Sequence, residues 1–136
     1  MYLLDTNVLS EYRKSSANQG VVRWMAGREP ADLYLSVITI FEIDMGVRRV
    51  ERRDTDQGRR LREWFTSGIL QQFQERILPV DAAVALHSAA MQVPDPRPER
   101  DCFVAATAAV RGLTVVTRNT KDFAPMGVAL LNPWHA

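Results

Sequence analysis

Four acids in this 136-residue chain stand where chemistry could gather them: Asp5 closing "YLLD", Glu42 in "TIFEI", Asp101 in "ERDCF" and Asp122 in "TKDF". Crowded carboxylates repel one another and raise each other's pKa unless a cation keeps them ionised. His87 and His135 are the only histidines and Cys102 the only cysteine, with no zinc-like spacing among them. An all-oxygen set suits Mg²⁺ or Mn²⁺, hard cations that keep several waters and rest on one or two carboxylates plus a substrate phosphate. A metal held this way acidifies a bound water and neutralises charge building on phosphorus and on the leaving oxygen, which is the chemistry of phosphodiester hydrolysis. Without metal, the same acids repel a phosphodiester.

Each acid has a plainer duty open to it. Asp5 can cap the helix that follows it. Thr39 to Glu42 fits the S/T-x-x-E capping box, in which the glutamate reaches back to its own helix start. Asp101 can stabilise a helix N-terminus through the macrodipole, and Asp122 can be a solvated loop acid. Asp81 reads as a helix cap and is left out of the set. The elements that position the four decide between these duties.

The apolar run "YLL" reads as a strand and "DTNVLSEYRK" as the start of a helix. "GVVRWMAG" is a second amphipathic segment. Leu33 to Ser36 is a short strand, and "VITIFEIDMGVRRVERR" places Ile43, Val47 and Val50 at helical spacing. A further helix is expected from "RRLREWF" to Phe73, then a strand in "ILPVD" and an Ala-rich helix in "AAVALHSAAM". "VPDPRPERD" is expected to be a loop because of its three prolines. "CFVAATAAVRG" is a helix stopped by Gly112, "LTVVTRN" a strand running into a polar loop, and "GVALLN" a last strand. Strands alternating with helices give an α/β domain over residues 1–136, with a five-stranded, mostly parallel sheet flanked by helices. In such folds functional groups collect at the carboxyl ends of the strands. Asp5, Glu42, Asp101 and Asp122 all fall at that rim.

Bulk composition narrows the classes. A chain of this length forms one domain around one core. Hydrophobic content of 46% and charged content of 24% exclude a disordered chain. The lone Cys102 fits a reduced, cytoplasmic setting. The sequence has neither a signal-peptide pattern nor an apolar run of membrane-spanning length. A net charge of +1 gives no whole-protein case for a polyanionic partner.

Four segments, "LLDTNVLSE", "SVITIFEIDMGV", "RDCFVAATA" and "VVTRNTKDF", together resemble the PIN-domain nucleases, in particular the VapC/FitB branch of toxin–antitoxin toxins. The resemblance covers nearly the whole chain, with the segments in the family's order. It implies a PIN-like fold, a Mg²⁺-dependent endoribonuclease site (Mn²⁺ as an alternative), homodimers, and a cognate antitoxin that covers the site, with DNA met only through that antitoxin. It makes Asp5 and Asp101 the metal-binding acids, Glu42 the acid that orients water or metal, and Asp122 the fourth acid. Thr6 and Thr117 match hydroxyl positions beside the site, and Asn7 and Asn119 match side chains that hold the acidic loops in shape. The proline-dense "VPDPRP" before Asp101 departs from the family's smoother passage.

Fifteen of the 17 basic residues are arginines, seven of them between Arg48 and Arg62. Acids interleave with that run, so it reads as a solvated, partly ion-paired face. Arg118 and Lys121, flanking the loop of Asp122, are the better candidates for holding RNA phosphate. Trp24, Trp64 and Phe65 read as core or edge of core. An aspartyl-phosphate phosphatase also opens on a strand ending in Asp, but asks for a second Asp where this chain has Asn7. The main rival is regulatory: a weakly catalytic or non-catalytic partner that dimerises and stabilises a DNA-binding antitoxin complex.

Overall fold

In the computed structural model, which describes residues 1–136, the strands are β1 (Tyr2–Leu4), β2 (Leu33–Ser36), β3 (Ile77–Leu78), β4 (Thr114–Val116) and β5 (Leu130–Leu131). They form one sheet in the order β3-β2-β1-β4-β5, with every pairing parallel. Successive side chains of a strand point to opposite faces. Leu4 and Val116 therefore enter one core with Val8, Val21, Ile43, Val47 and Phe65, while Leu3 and Val115 enter a second with Val104, Ala105, Ala108 and Phe123. The sheet is thus covered on both sides, as parallel sheets are.

The first face is covered by α1 (Thr6–Tyr12), α2 (Gln19–Ala26), α3 (Val37–Arg53) and α4 (Thr55–Glu63). Trp24 and Phe65 are buried and Trp64 packs against them, as their sequence setting suggests. The start of α3 differs from the Thr39–Glu42 capping box. Ser36 is the cap, its hydroxyl accepting from Ile38 N at 3.0 Å. Pairing of Ser36 with Leu78 keeps the chain extended through residue 36, so the helix can begin only after it. Thr39 lies one turn inside, fully buried, with its hydroxyl unpartnered.

The helix expected up to Phe73 proves to be two pieces: α4, capped by Asp54, and a π-helical stretch over Trp64–Leu70. Phe65, Ile69 and Phe73 recur every four residues and are all buried. That spacing keeps the three within one apolar stripe of a helix, so the π-helical stretch leaves them all on the core side. Gly58 lets α4 lie against α3, because a Cβ there would sit 2.5 Å from the Glu51 Cα.

The second face is covered by α5 (Ala82–Met91), α6 (Glu99–Arg111) and α7 (Thr120–Phe123). Asp81 caps α5 through Val84 N, as read from the sequence. Glu99 and Arg100, expected in the proline loop, instead join Asp101 in the first turn of α6, with Pro98 at its N-cap. Glu99 and Asp101 there face the positive end of the helix, which favours acids. The loop is held by Gln92, whose amide donates to Arg97 O at 2.9 Å and accepts from Arg97 N at 2.7 Å. Gly112, at φ 69°, closes α6 in the left-handed region that favours glycine. No helix is long and apolar enough to cross a membrane.

Candidate active site

From β1 the chain crosses to β2 and on to β3 on one side, whereas β4 and β5 lie on the other. The sheet order therefore reverses between β1 and β4, and the crevice beyond the carboxyl ends of those two strands is the place where such folds bind ligands. Asp5 is the first residue past β1 and Thr117 the first past β4.

These two residues bond the strand ends together. Asp5 N donates to Val116 O at 2.9 Å. Asp5 Oδ1 accepts from Thr6 N at 2.9 Å, so a capping duty is present. Its Oδ2 accepts from the Thr117 hydroxyl at 2.8 Å and, at 3.4 Å, from Asn7 Nδ2. The Thr117 hydroxyl in turn accepts from Asn7 Nδ2 at 3.2 Å and Asn119 N at 3.0 Å, and Asn7 Oδ1 accepts from Arg118 N at 3.2 Å. Asn7 and Thr117 are thus the cross-braces between loops more than a hundred residues apart in sequence.

The remaining acids surround this brace. Glu42, on α3, takes a 2.7 Å hydrogen bond from the Thr6 hydroxyl on one oxygen. Its other oxygen lies 3.5 Å from Arg100 Nη1. Glu42 therefore reaches across to α1 and α6 rather than back to its own helix start. Asp101 is half-buried in the first turn of α6, and Asp122 is exposed in the first turn of α7.

Their electrostatics are mutual. Burial raises the Asp5 carboxyl to about 6, hydrogen bonds from Thr117 and Thr6 oppose that rise, and the charges of Glu42 and Asp101 add to it. Asp101 is also raised, first by burial and then by Asp122 and Glu42, with Arg100 opposing. The four acids named from the sequence are therefore near enough to feel one another.

Two sequence candidates do not join them. Arg118 and Lys121 are exposed and make no ion pair with any of the four. Arg118 stacks on the Trp134 ring at 5.3 Å. The cation that does reach the cluster is Arg100, which sequence reasoning passed over although it stands beside Asp101. The arginine run largely behaves as a solvated face: Arg48 and Arg59 pair with Asp44 and Asp56, and Arg62 bridges Asp44 and Glu51.

Three or more His, Cys, Asp or Glu side chains do not close into a metal cage anywhere in the molecule. The crevice nevertheless fits a hydrated Mg²⁺ or Mn²⁺ in its chemistry. The candidate donors, Asp5 and Asp101, are oxygens only, and burial together with like charge leaves both in want of a counter-cation. A buried acid beside two half-buried ones at a sheet's switch point can hold a divalent cation and a polarised water, while Thr117, Asn7 and Thr6 fix the oxygens' directions.

Residues 2–127 match the PIN-domain family model. The chain belongs to the PIN-domain family. Over its full length this PIN domain is similar to toxin FitB of Neisseria gonorrhoeae, at 39% identity over 99% of both chains. It is also 32% identical to the VapC ribonuclease Y4jK of Sinorhizobium fredii, over 98% of both. Among solved structures, FitAcB from Neisseria gonorrhoeae matches with a TM-score of 0.92 at 38% identity, covering all of both chains. FitAB bound to an IR36 DNA fragment matches equally well at 37% identity, covering all of this chain and 97% of that one.

Proposed function

We propose that this PIN domain is the toxin of a toxin–antitoxin pair and a metal-dependent endoribonuclease. The reading is supported by the mutual charge of Asp5, Glu42, Asp101 and Asp122, with Asp5 at the sheet's switch point, in a chain similar throughout to a VapC ribonuclease.

Asp5 and Asp101 would hold the cation, Mg²⁺ or in its place Mn²⁺. When bound, that ion supplies charge neutralisation at phosphorus and lowers the pKa of water in the crevice. Glu42, fixed by the Thr6 hydroxyl, would orient a water in the crevice and accept its proton. Asp122 contributes the outer acidic wall. Thr117 and Asn7, with the backbone N–H of Asn119 rather than its side chain, keep Asp5 aimed into the crevice, and positioning of this kind carries much of the rate. The guanidinium and ammonium of Arg118 and Lys121, free of carboxylate partners, draw in RNA phosphates farther along the strand.

The partner is a cognate antitoxin, in keeping with the solved FitAcB and FitAB complexes of its relatives, and the setting is the cytoplasm. A regulatory role is favoured by one observation, the DNA-bound state of the FitAB relative. In that role this chain, as a homodimer, stabilises an antitoxin that makes the DNA contacts.

The test is cleavage of total cellular RNA by the antitoxin-free protein in Mg²⁺, in Mn²⁺ and in chelator, beside Asp5→Asn. Metal-dependent cutting lost in the variant is expected. Equal inertness of both proteins, each folded and bound to antitoxin, would leave the regulatory role alone standing.

A further inference from the structure

Immediately outside the acid cluster, α3 carries an aromatic ring in the open. Phe41 precedes Glu42 and is 54% exposed, unlike Phe65, Phe73 and Phe123, which are buried. The Arg100 guanidinium lies 5.5 Å from the Phe41 ring centroid while its Nη1 reaches Glu42. One cation thus spans the distance from the candidate catalytic acids to the ring. Beyond Phe41, Asp44, Met45, Arg48, Arg49 and Arg52 continue along the same helix face and edge an open, shallow groove between their side chains, of about 430 Å³. Asp44, its one acid, is neutralised by Arg48 and Arg62, and Arg49 and Arg52 have no carboxylate partner. The groove is therefore cationic with an aromatic floor at the end nearest the site.

We infer that Phe41 is a stacking platform for a base of single-stranded RNA next to the cleaved bond, with Arg100 clamping the adjoining phosphate and Arg49 and Arg52 guiding the strand outward. The inference rests on the ribonuclease reading of the site. A base stacks on an exposed ring without regard to its identity, and a cationic groove tracks the backbone. A duplex cannot present an unstacked base to Phe41, so the groove selects single strands. An apolar protein segment is the less suitable occupant, because it leaves two unpaired guanidinium groups against it. Arg100 paired with Glu42 is then the resting arrangement, which an incoming phosphate displaces by offering a bidentate acceptor.

The experiment is fluorescence anisotropy of the antitoxin-free protein with a fluorescein-labelled oligouridylate, and with a poly(A)·poly(U) duplex, in Ca²⁺ so that binding is read apart from cutting. Truncation of a stacking ring should weaken the single-strand affinity of Phe41→Ala by about tenfold. Phe41→Tyr should restore it, and Arg100→Ala should weaken it while flattening its salt dependence. Phe41 is largely exposed, so these variants keep the fold, which circular dichroism checks. In Mg²⁺ the Phe41→Ala loss should reappear in KM for RNA cleavage. Wild type that binds and cuts single-stranded RNA while Phe41→Ala binds it equally well overturns the platform and leaves the nuclease standing. In that case, failure of Phe41→Ala to bind antitoxin or to dimerise would assign the ring to a protein partner. Wild type that neither binds nor cuts RNA overturns the nuclease reading itself.

Discussion

Replacing Asp5 by Asn should make the protein more stable at neutral pH and leave it about as stable in acid, a pH dependence that no plain structural role would produce. Asp5 in the unfolded chain ionises near 3.8, whereas burial raises it to about 6 in the folded protein. Between those values the folded state holds a proton the unfolded state has lost, so stability falls as pH rises through the window and the penalty is complete above it. At about 1.36 kcal/mol for each pH unit, the full penalty is about 3 kcal/mol. Asn escapes it, being the neutral isostere of the protonated acid, and like that acid it accepts through one oxygen. The variant should therefore be more stable by about 3 kcal/mol near pH 7.5 and about as stable as wild type near pH 3. Urea denaturation of both proteins in chelator at the two pH values reads this directly. Added Mg²⁺ should raise wild-type stability at neutral pH and leave the variant unmoved, because only the intact carboxylate binds the ion. A variant less stable by the same amount at both pH values would refute the claim that Asp5 is held at an electrostatic cost for the sake of the site.

The other expectations concern the frame around that carboxylate. Thr117→Val removes the buried hydroxyl that directs Asp5 Oδ2; it should cost about 1–3 kcal/mol in denaturation and lower RNA cleavage without abolishing metal binding by calorimetry. Thr39→Val replaces a buried, unpartnered hydroxyl by a methyl of like shape, and urea denaturation should show a gain of about 1 kcal/mol. Gly58→Ala forces a methyl onto the Glu51 backbone; a loss of about 1–3 kcal/mol, seen as an earlier thermal midpoint, is expected as α4 is pushed off α3.

The strand of Leu33–Ser36 and the helix of Val37–Arg53 were legible residue for residue, because apolar alternation and helical spacing change over at that point. So was the rim of acids, since strands alternating with helices leave few places for the residues that follow a strand. What the sequence hid depended on contacts between distant segments. Ser36 and Thr39 are equally good caps by residue type, and only the pairing of Ser36 with Leu78, a strand of two residues, decides between them. The π-helical stretch leaves no such mark, because the four-residue spacing of the buried Phe65, Ile69 and Phe73 is equally that of an ordinary helix stripe.

Arg100 shows the same limit at the site itself. Arg118 and Lys121 drew notice because they neighbour Asp122 in sequence, yet side chains leave a helix's first turn in several directions and sequence adjacency does not set their aim. Arg100 reaches Glu42, 58 positions earlier, because α3 and α6 pass each other at the rim of the sheet. The same crossing places the Phe41 ring under that guanidinium. An acidic centre built for a cation repels the polyanion it must cut, so a substrate can enter only if positive groups stand at its edge. Arg100 is the one arginine tied to both the acids and an exposed ring. Removing it should therefore weaken RNA binding more than removing Arg118 or Lys121, and the ranking of the three single alanine variants by anisotropy tests whether spatial or sequence adjacency governs entry to the site.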